Sequence, residues 1–293
     1  MPIVATIGEA IERGADVLLV GTAAAGGRIP PSYRPLLAEA LGRGMTVWNG
    51  LHERVMAFAD QRVRELREPP ADLEIGGHRA RRAEARVVLT VGTDAAVGKM
   101  TASLELVRSF ERAGERAAFV ATGQTGIAIA GWGISVDAVV ADFIAGAAER
   151  MVCDAAEGAE WVIVEGQGSL MHPGFSGVTL GLLHGTAPDL MVLCHDSSRR
   201  VVKGFEAEGL PLRPLGDCVR VYEDAAAWRH PPEKPRARVV AVALNTVALS
   251  DAEARAAIDA ATRDTGLPSA DPVREGAAGA DRLAGALRSA PIR

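Results

Sequence analysis

The chain has 293 residues, 48% of them hydrophobic and 24% charged, the balance of a globular protein with apolar material for a sizeable core. A net charge of −5 and a pI of about 5.8 argue against a nucleic-acid binder, and no run approaches the roughly 20 apolar residues of a membrane span, so a cytoplasmic location is expected. Cys153, Cys194 and Cys218 are scattered and form no CxxC pair, which argues against a disulfide framework or a cysteine-based zinc site.

Short β-rich runs alternate with Ala-rich helical stretches, which predicts parallel βαβ units, and an aromatic content of only 4% suits helices lying close on a sheet. In chain order, Ile3–Thr6 reads as a strand, Ile7–Arg13 as a helix, and Asp16–Val20 as a second strand. A helix with early prolines follows at Pro31–Arg43, then a strand at Met45–Trp48 and a helix at Leu51–Leu66. Glu68–Arg82 holds Pro69-Pro70, Gly76-Gly77 and the basic run His78–Arg82, and is expected to be a solvated linker dividing domains at 1–83 and 84–293.

The pattern then restarts with strand Arg86–Val91, a Gly-rich turn and helix Lys99–Ala113. Further strands are expected at Ala117–Ala121, Trp161–Glu165, Leu190–Cys194 and Val239–Leu244. Helices should fill Asp137–Ala156, the region near Leu215–Trp228 and Asp251–Thr265, and the Ala-rich C-terminal stretch keeps a helical pattern.

The strongest chemical signal is Gly92–Lys99 (GTDAAVGK), set between a strand and a helix. Such a turn aims consecutive backbone N–H groups and a helix N-terminus at one point, which suits a phosphate; Gly98 permits close approach and Lys99 adds a positive charge. Two features depart from the common P-loop pattern. Five residues separate Gly92 from Gly98, so Thr93 takes the usual first-glycine place, and Met100 stands where Ser or Thr would hold Mg²⁺. Thr101 is the next hydroxyl, but one residue on a helix rotates a side chain by about 100°.

The GTDAAVGK string resembles the start of the nucleotide site in dethiobiotin synthetase and its relatives, and Trp161–Gly168 (WVIVEGQG) resembles their second motif. The resemblance puts Glu165 at the carboxyl end of a strand beside the P-loop, either coordinating Mg²⁺ or water or capping nearby N–H groups. Ala243–Thr246 (ALNT) and Thr265–Pro268 (TGLP) resemble the end of such domains, with Asn245 near the base; a guanine-reading NKxD is absent.

A narrower resemblance spans nearly the whole chain. Gly26–Pro31 (GGRIPP), Gly50–His52 (GLH), Gly92–Thr101 (GTDAAVGKMT), Ala121–Gly126 (ATGQTG), Val136–Phe143 (VDAVVADF), Glu165–Leu170 (EGQGSL), Ser176–Gly185 (SGVTLGLLHG) and Pro188–His195 (PDLMVLCH) are similar to the DUF1611 family. That family joins a Rossmann-like N-terminal domain to a P-loop domain, Met100 included, and its members are associated with D-glutamate N-acetylation. The resemblance implies an α/β protein with a parallel-sheet P-loop NTPase-like domain, preceded by a small Rossmann-like domain. The chain begins at what looks like the family's second strand, so that first domain is expected to be truncated.

By the same resemblance, Thr93, Asp94, Ala96, Val97, Gly98, Lys99, Met100 and Thr101 form the phosphate cradle, for ATP or for acetyl-CoA, with Thr101 and Glu165 as metal ligands if Mg²⁺ is used. Gln124 and Thr125 either approach the substrate or serve turn chemistry. Asp142 is favoured for the site and Asp137 as a helix cap, since five residues do not share a helix face well. His195, at a strand's carboxyl end, and His172, in a loop, are candidate bases; Arg199 either pairs with a substrate carboxylate or decorates a helix. Gly166, Gln167 and Gly168 offer backbone donors for an oxyanion.

Three functions follow as expectations. The first is an acetyl-CoA-dependent N-acetyltransferase of a small amino acid of the D-glutamate type. The second is an ATP/Mg²⁺-dependent carboxylate kinase or ligase, and the third a nucleotide-dependent switch or delivery protein. The expected partners are a small-molecule substrate and further copies of the chain, with neither nucleic acid nor membrane.

Overall fold

The computed structural model describes residues 2–22, 25–55, 61–228 and 237–291. Two parallel sheets organise it. The first follows from short apolar strands at Val17–Val20 (β1), Thr46–Asn49 (β2) and Val63–Glu65 (β3), ordered β1-β2-β3, with helices Ile7–Glu12 (α1) and Tyr33–Gly42 (α2). Val20, Leu37, Leu41 and Val47 form its own small core.

Ile3–Thr6 makes no strand. Ile3 is fully exposed, and Thr6 instead caps α1 by accepting the Glu9 N–H at 3.1 Å. The helix expected over Leu51–Leu66 gives way at its far end to β3, whose Val63 pairs with Val47; pairing there satisfies backbone groups along the edge of β2. Residues 56–60 of that expected helix lie outside the described ones.

The second sheet has strands Arg86–Gly92 (β4), Ala117–Val120 (β5), Trp161–Val164 (β6), Leu190–Asp196 (β7), Arg238–Asn245 (β8) and Ser269–Ala270 (β9). Their order is β5-β6-β4-β7-β8-β9, all parallel, so the P-loop strand β4 is central. Helices are Lys99–Arg112 (α3), Gln124–Ala130 (α4), Ala141–Ala156 (α5), Ser176–Thr186 (α6), Leu215–Ala227 (α7), Asp251–Thr265 (α8) and Ala277–Ser289 (α9).

The period-two alternation of β4 explains the layers. Val87, Leu89 and Val91 point into one core with Met151 of α5, Leu182 of α6 and Tyr222 of α7; Val88 points into the other, with Phe110 of α3 and Leu283 of α9. Phe110 stacks on Trp161 with ring centroids 4.4 Å apart. α5 starts at Ala141 rather than at Asp137, because Val136–Ala138 is a 3₁₀ turn and Val139 and Val140 are extended.

Residues 74–82 are tied to α5 rather than free, although Glu74, Ile75 and Arg79 keep much of their surface exposed. The Gly77 N–H and the Arg79 guanidinium bond to Glu149, whose side chain is fully buried in α5. Gly146 lets this segment reach the helix, since a Cβ there would lie 1.7 Å from the Glu74 carbonyl oxygen. Arg81 is buried and Ala80 belongs to the core. Among the described residues no helix is long and apolar enough to cross a membrane.

Candidate active site

The carboxyl ends of β4, β6 and β8 open onto one cavity of about 770 Å³. Its floor is the turn after β4. Ala96 and Gly98 both adopt positive φ, 53° and 102°, which curls the backbone into a concave run before α3 begins at Lys99. Lys99 is buried and donates from Nζ to the Asp94 carbonyl at 2.9 Å. Burial pulls its pKa down to about 8, against the attraction of nearby acids.

Glu165, at the end of β6, faces the same cavity. It accepts the Thr122 N–H at 3.1 Å, and its backbone carbonyl accepts the Thr122 hydroxyl at 2.6 Å. Burial raises its pKa to about 7, opposed by hydrogen bonds from Thr122, Gly123 and Gln167 and by the charge of Lys99. A carboxyl poised near neutrality is suited to exchange a proton with a substrate.

The cavity brings together Ala96, Val97, Gly98, Lys99, Met100, Thr101, Gln124, Thr125, Glu165, Gly166, Gln167, Gly168 and Asn245. The Gly166 N–H is already given to the Thr90 hydroxyl at 3.0 Å, leaving Gln167 and Gly168 as the backbone donors of that stretch. Val97, Gly98, Thr101 and Asn245 also border a second, largely apolar pocket of about 510 Å³, walled by Ala243, Leu244, Val247, Pro272 and Val273, with Asp271 and Arg274 as its charged residues. A phosphate-bearing ligand seated on the turn would therefore have an apolar pocket on one side and Glu165 on the other.

Other expected residues lie elsewhere. Asp94 belongs to the turn, but its fully buried carboxylate faces away from the cavity's lining. It accepts Arg199 Nη1 at 2.9 Å, the Lys203 N–H at 2.8 Å and the Ala95 N–H at 2.7 Å. Arg199 also donates to the carbonyls of Ala95 and Ala96, so its fork is spent clamping the P-loop from outside. Thr93 meets His195 instead, Oγ1 to Nδ1 at 3.0 Å, and burial lowers the His195 pKa to about 4.

His172 has both ring nitrogens engaged. Nδ1 accepts the Gly174 N–H at 3.1 Å, which leaves Nε2 to donate to the Lys203 carbonyl at 3.0 Å, and the ring stacks on Phe175. Asp142 is exposed on the first turn of α5 and does not line the cavity, whereas Asp137 does. The expectation that both share one helix does not hold, since Asp137 lies in the 3₁₀ turn before α5.

Three contributors had no role assigned from sequence. His52 lines the cavity from the first domain, 3.6 Å from Asp137, and Arg67 pairs with Asp137 while its Nε donates to the Gly50 carbonyl at 2.7 Å. The Gly50–His52 string was the available signal. Tyr222, a buried residue of α7, donates its hydroxyl to the Gly92 carbonyl at 2.8 Å and accepts the Leu170 N–H at 3.2 Å, tying the P-loop strand to the loop after β6.

Comparison with known proteins places this geometry in a family context. Residues 74–283 match the model described as Domain of unknown function (DUF1611_C) P-loop domain, and residues 1–68 match Domain of unknown function (DUF1611_N) Rossmann-like domain. The chain is 35% identical over 280 residues to a D-glutamate N-acetyltransferase of Pseudoalteromonas sp, covering 92% of this chain and 82% of the relative. It is 35% identical over 282 residues to one of Tritonibacter scottomollicae, covering 93% and 82%. A crystal structure of a DUF1611 family protein from Anabaena variabilis superposes with a TM-score of 0.90 at 38% identity, over 99% of this chain and 84% of the other.

Proposed function

The chain belongs to the DUF1611 family, and on that premise we propose that it is an acetyl-CoA-dependent N-acetyltransferase acting on the amino group of D-glutamate or a similar small amino acid. The names of the two relatives support the reaction class. The observation that carries the reading is Glu165, a buried carboxyl with a pKa of about 7 on the cavity that the P-loop floors.

The lining supports this reading. The backbone at Ala96–Lys99 and the Lys99 ammonium would hold its phosphates, and the apolar pocket beside Asn245 would take its base. Bound there, acetyl-CoA supplies the activated acyl group. Glu165 would accept a proton from the substrate ammonium at its carboxylate oxygen, which frees the nitrogen lone pair for attack. As the C–S bond breaks, the protonated Glu165 would return that proton to the departing thiolate, and the second nitrogen proton would pass to solvent. Gln167 and Gly168 present backbone N–H groups where negative charge develops on a carbonyl oxygen. His52, from the first domain, and Asp137 line the cavity at its more exposed side, 3.6 Å apart.

A second reading, an ATP/Mg²⁺-dependent carboxylate kinase or ligase, draws on Thr101, which borders both pockets and could join Glu165 on a metal despite Met100. Assay of acetyl-CoA consumption with D-glutamate separates the two. Turnover lost in Glu165→Gln by about a hundredfold or more supports acyl transfer with Glu165 as base. ATP hydrolysis coupled to a carboxylate substrate, with no acetyl-CoA consumption, would replace it.

A further inference from the structure

A separate depression of about 400 Å³ lies at the carboxyl ends of β7 and β8, between the start of α7 and one face of α8, and shares no lining residue with the P-loop cavity. Its polar side consists of His195, Ser197, Arg199, Arg200 and Arg213, with one acid, Asp264. His195 is held by Thr93 and Arg199 by Asp94, which leaves Ser197, Arg200 and Arg213 to meet a ligand. Leu212, Leu215 and Leu244 supply an apolar wall, extended by the small side chains of Ala257 and Ala261 on α8.

Three observations single it out. Ser197 is 6% exposed, and its hydroxyl is buried without a hydrogen-bond partner among the described residues. A buried hydroxyl left unpaired carries an uncompensated desolvation cost, which a ligand oxygen would relieve. Among the described residues neither Arg200 nor Arg213 pairs with a carboxylate; Arg200 Nη1 donates only to the carbonyls of Ser197, at 2.7 Å, and Arg199, at 3.0 Å. The wall that carries them is held in place, since the Ser197 N–H donates to the Asn245 carbonyl at 3.0 Å and Arg199 is anchored on the P-loop.

We propose that this depression binds a small carboxylate with a short hydrocarbon body, its oxygens taken by Arg200, Arg213 and the Ser197 hydroxyl. Guanidinium forks match a carboxylate edge, and the leucine and alanine wall matches the methylenes behind it. A bare phosphate would share the arginines and waste the apolar wall. Neither the P-loop cavity nor its chemistry enters this assignment, so the site stands or falls independently of the acetyl-transfer reading.

Isothermal titration of the full chain with glutarate, a five-carbon dicarboxylate, tests it, with inorganic phosphate as the comparison ligand. Glutarate should bind the parent and Lys99→Ala alike, because Lys99 lies in the other cavity. Arg213→Ala, an exposed position where folding is not at stake, should weaken binding by about tenfold to a hundredfold, and Ser197→Ala by less. Arg213→Lys should recover only part of the loss, since it restores charge without the fork. Absence of glutarate binding to the parent, indifference to Arg213→Ala, or loss of binding in Lys99→Ala would overturn the proposal. Phosphate binding tighter than glutarate would overturn the carboxylate assignment.

Discussion

At Glu165 two opposing influences meet: burial favours the protonated acid, while three hydrogen bonds and the Lys99 charge favour the carboxylate, and the balance lies at about 7. The base form is the carboxylate, so kcat/KM should fall tenfold per pH unit below about 7 and level off above it. The sign for stability is opposite. A carboxyl whose folded pKa exceeds its ordinary 4.5 binds its proton more tightly in the fold, so ionisation lowers stability progressively between about 4.5 and 7. Glu165→Gln should therefore melt higher than the parent above pH 7, by on the order of 1–3 kcal/mol, with the difference vanishing toward pH 4. A scan in which the two proteins melt together at every pH would refute the burial argument. Tyr222→Phe isolates another buried group. It leaves the Gly92 carbonyl and the Leu170 N–H without their partner, at a cost of about 1–3 kcal/mol in chemical denaturation.

The strands and helices of the second sheet are legible because each carries its own period: β4 alternates between two cores, and α8 announces itself with a Ser250–Glu253 capping box. Beyond the local cap at Thr6 and the 3₁₀ turn before α5, the failures occur where a segment's structure is set by a distant partner. Val63–Glu65 becomes a strand because β2 offers an edge 16 residues earlier in register, and Glu74–Arg82 packs because Glu149 and Gly146 wait on α5. Gly146→Val tests that docking. With the Glu74 carbonyl oxygen 1.7 Å from even a Cβ, the linker must lift, and a loss of about 1–3 kcal/mol should appear with faster proteolysis within 74–82. Unchanged protease resistance would show that the segment docks by other contacts.

Across the whole molecule, the P-loop turn was readable from the GTDAAVGK string, because it is local in sequence. Gln124, Thr125, Glu165–Gly168 and Asn245 were named from sequence too, because they follow strand ends. What was not legible are the contacts that join two domains or cross the sheet, where His52 and Arg67 reach Asp137 and Arg199 reaches Asp94 across 105 residues. Two corollaries separate clamp from contact. Arg199→Ala should loosen the P-loop and weaken cofactor binding by about tenfold, whereas His52→Ala at the cavity's more exposed side should act chiefly on the amino-acid substrate. The central claim is that the turn at Ala96–Lys99 holds the phosphates of acetyl-CoA. Thermal unfolding of the parent and of Lys99→Ala, each with acetyl-CoA or with ATP and Mg²⁺, tests it most directly. Acetyl-CoA at about 100 times its Kd should stabilise the parent by about 2.7 kcal/mol, and the gain should disappear in Lys99→Ala. Stabilisation by ATP only in the presence of Mg²⁺, with none from acetyl-CoA, would contradict the account.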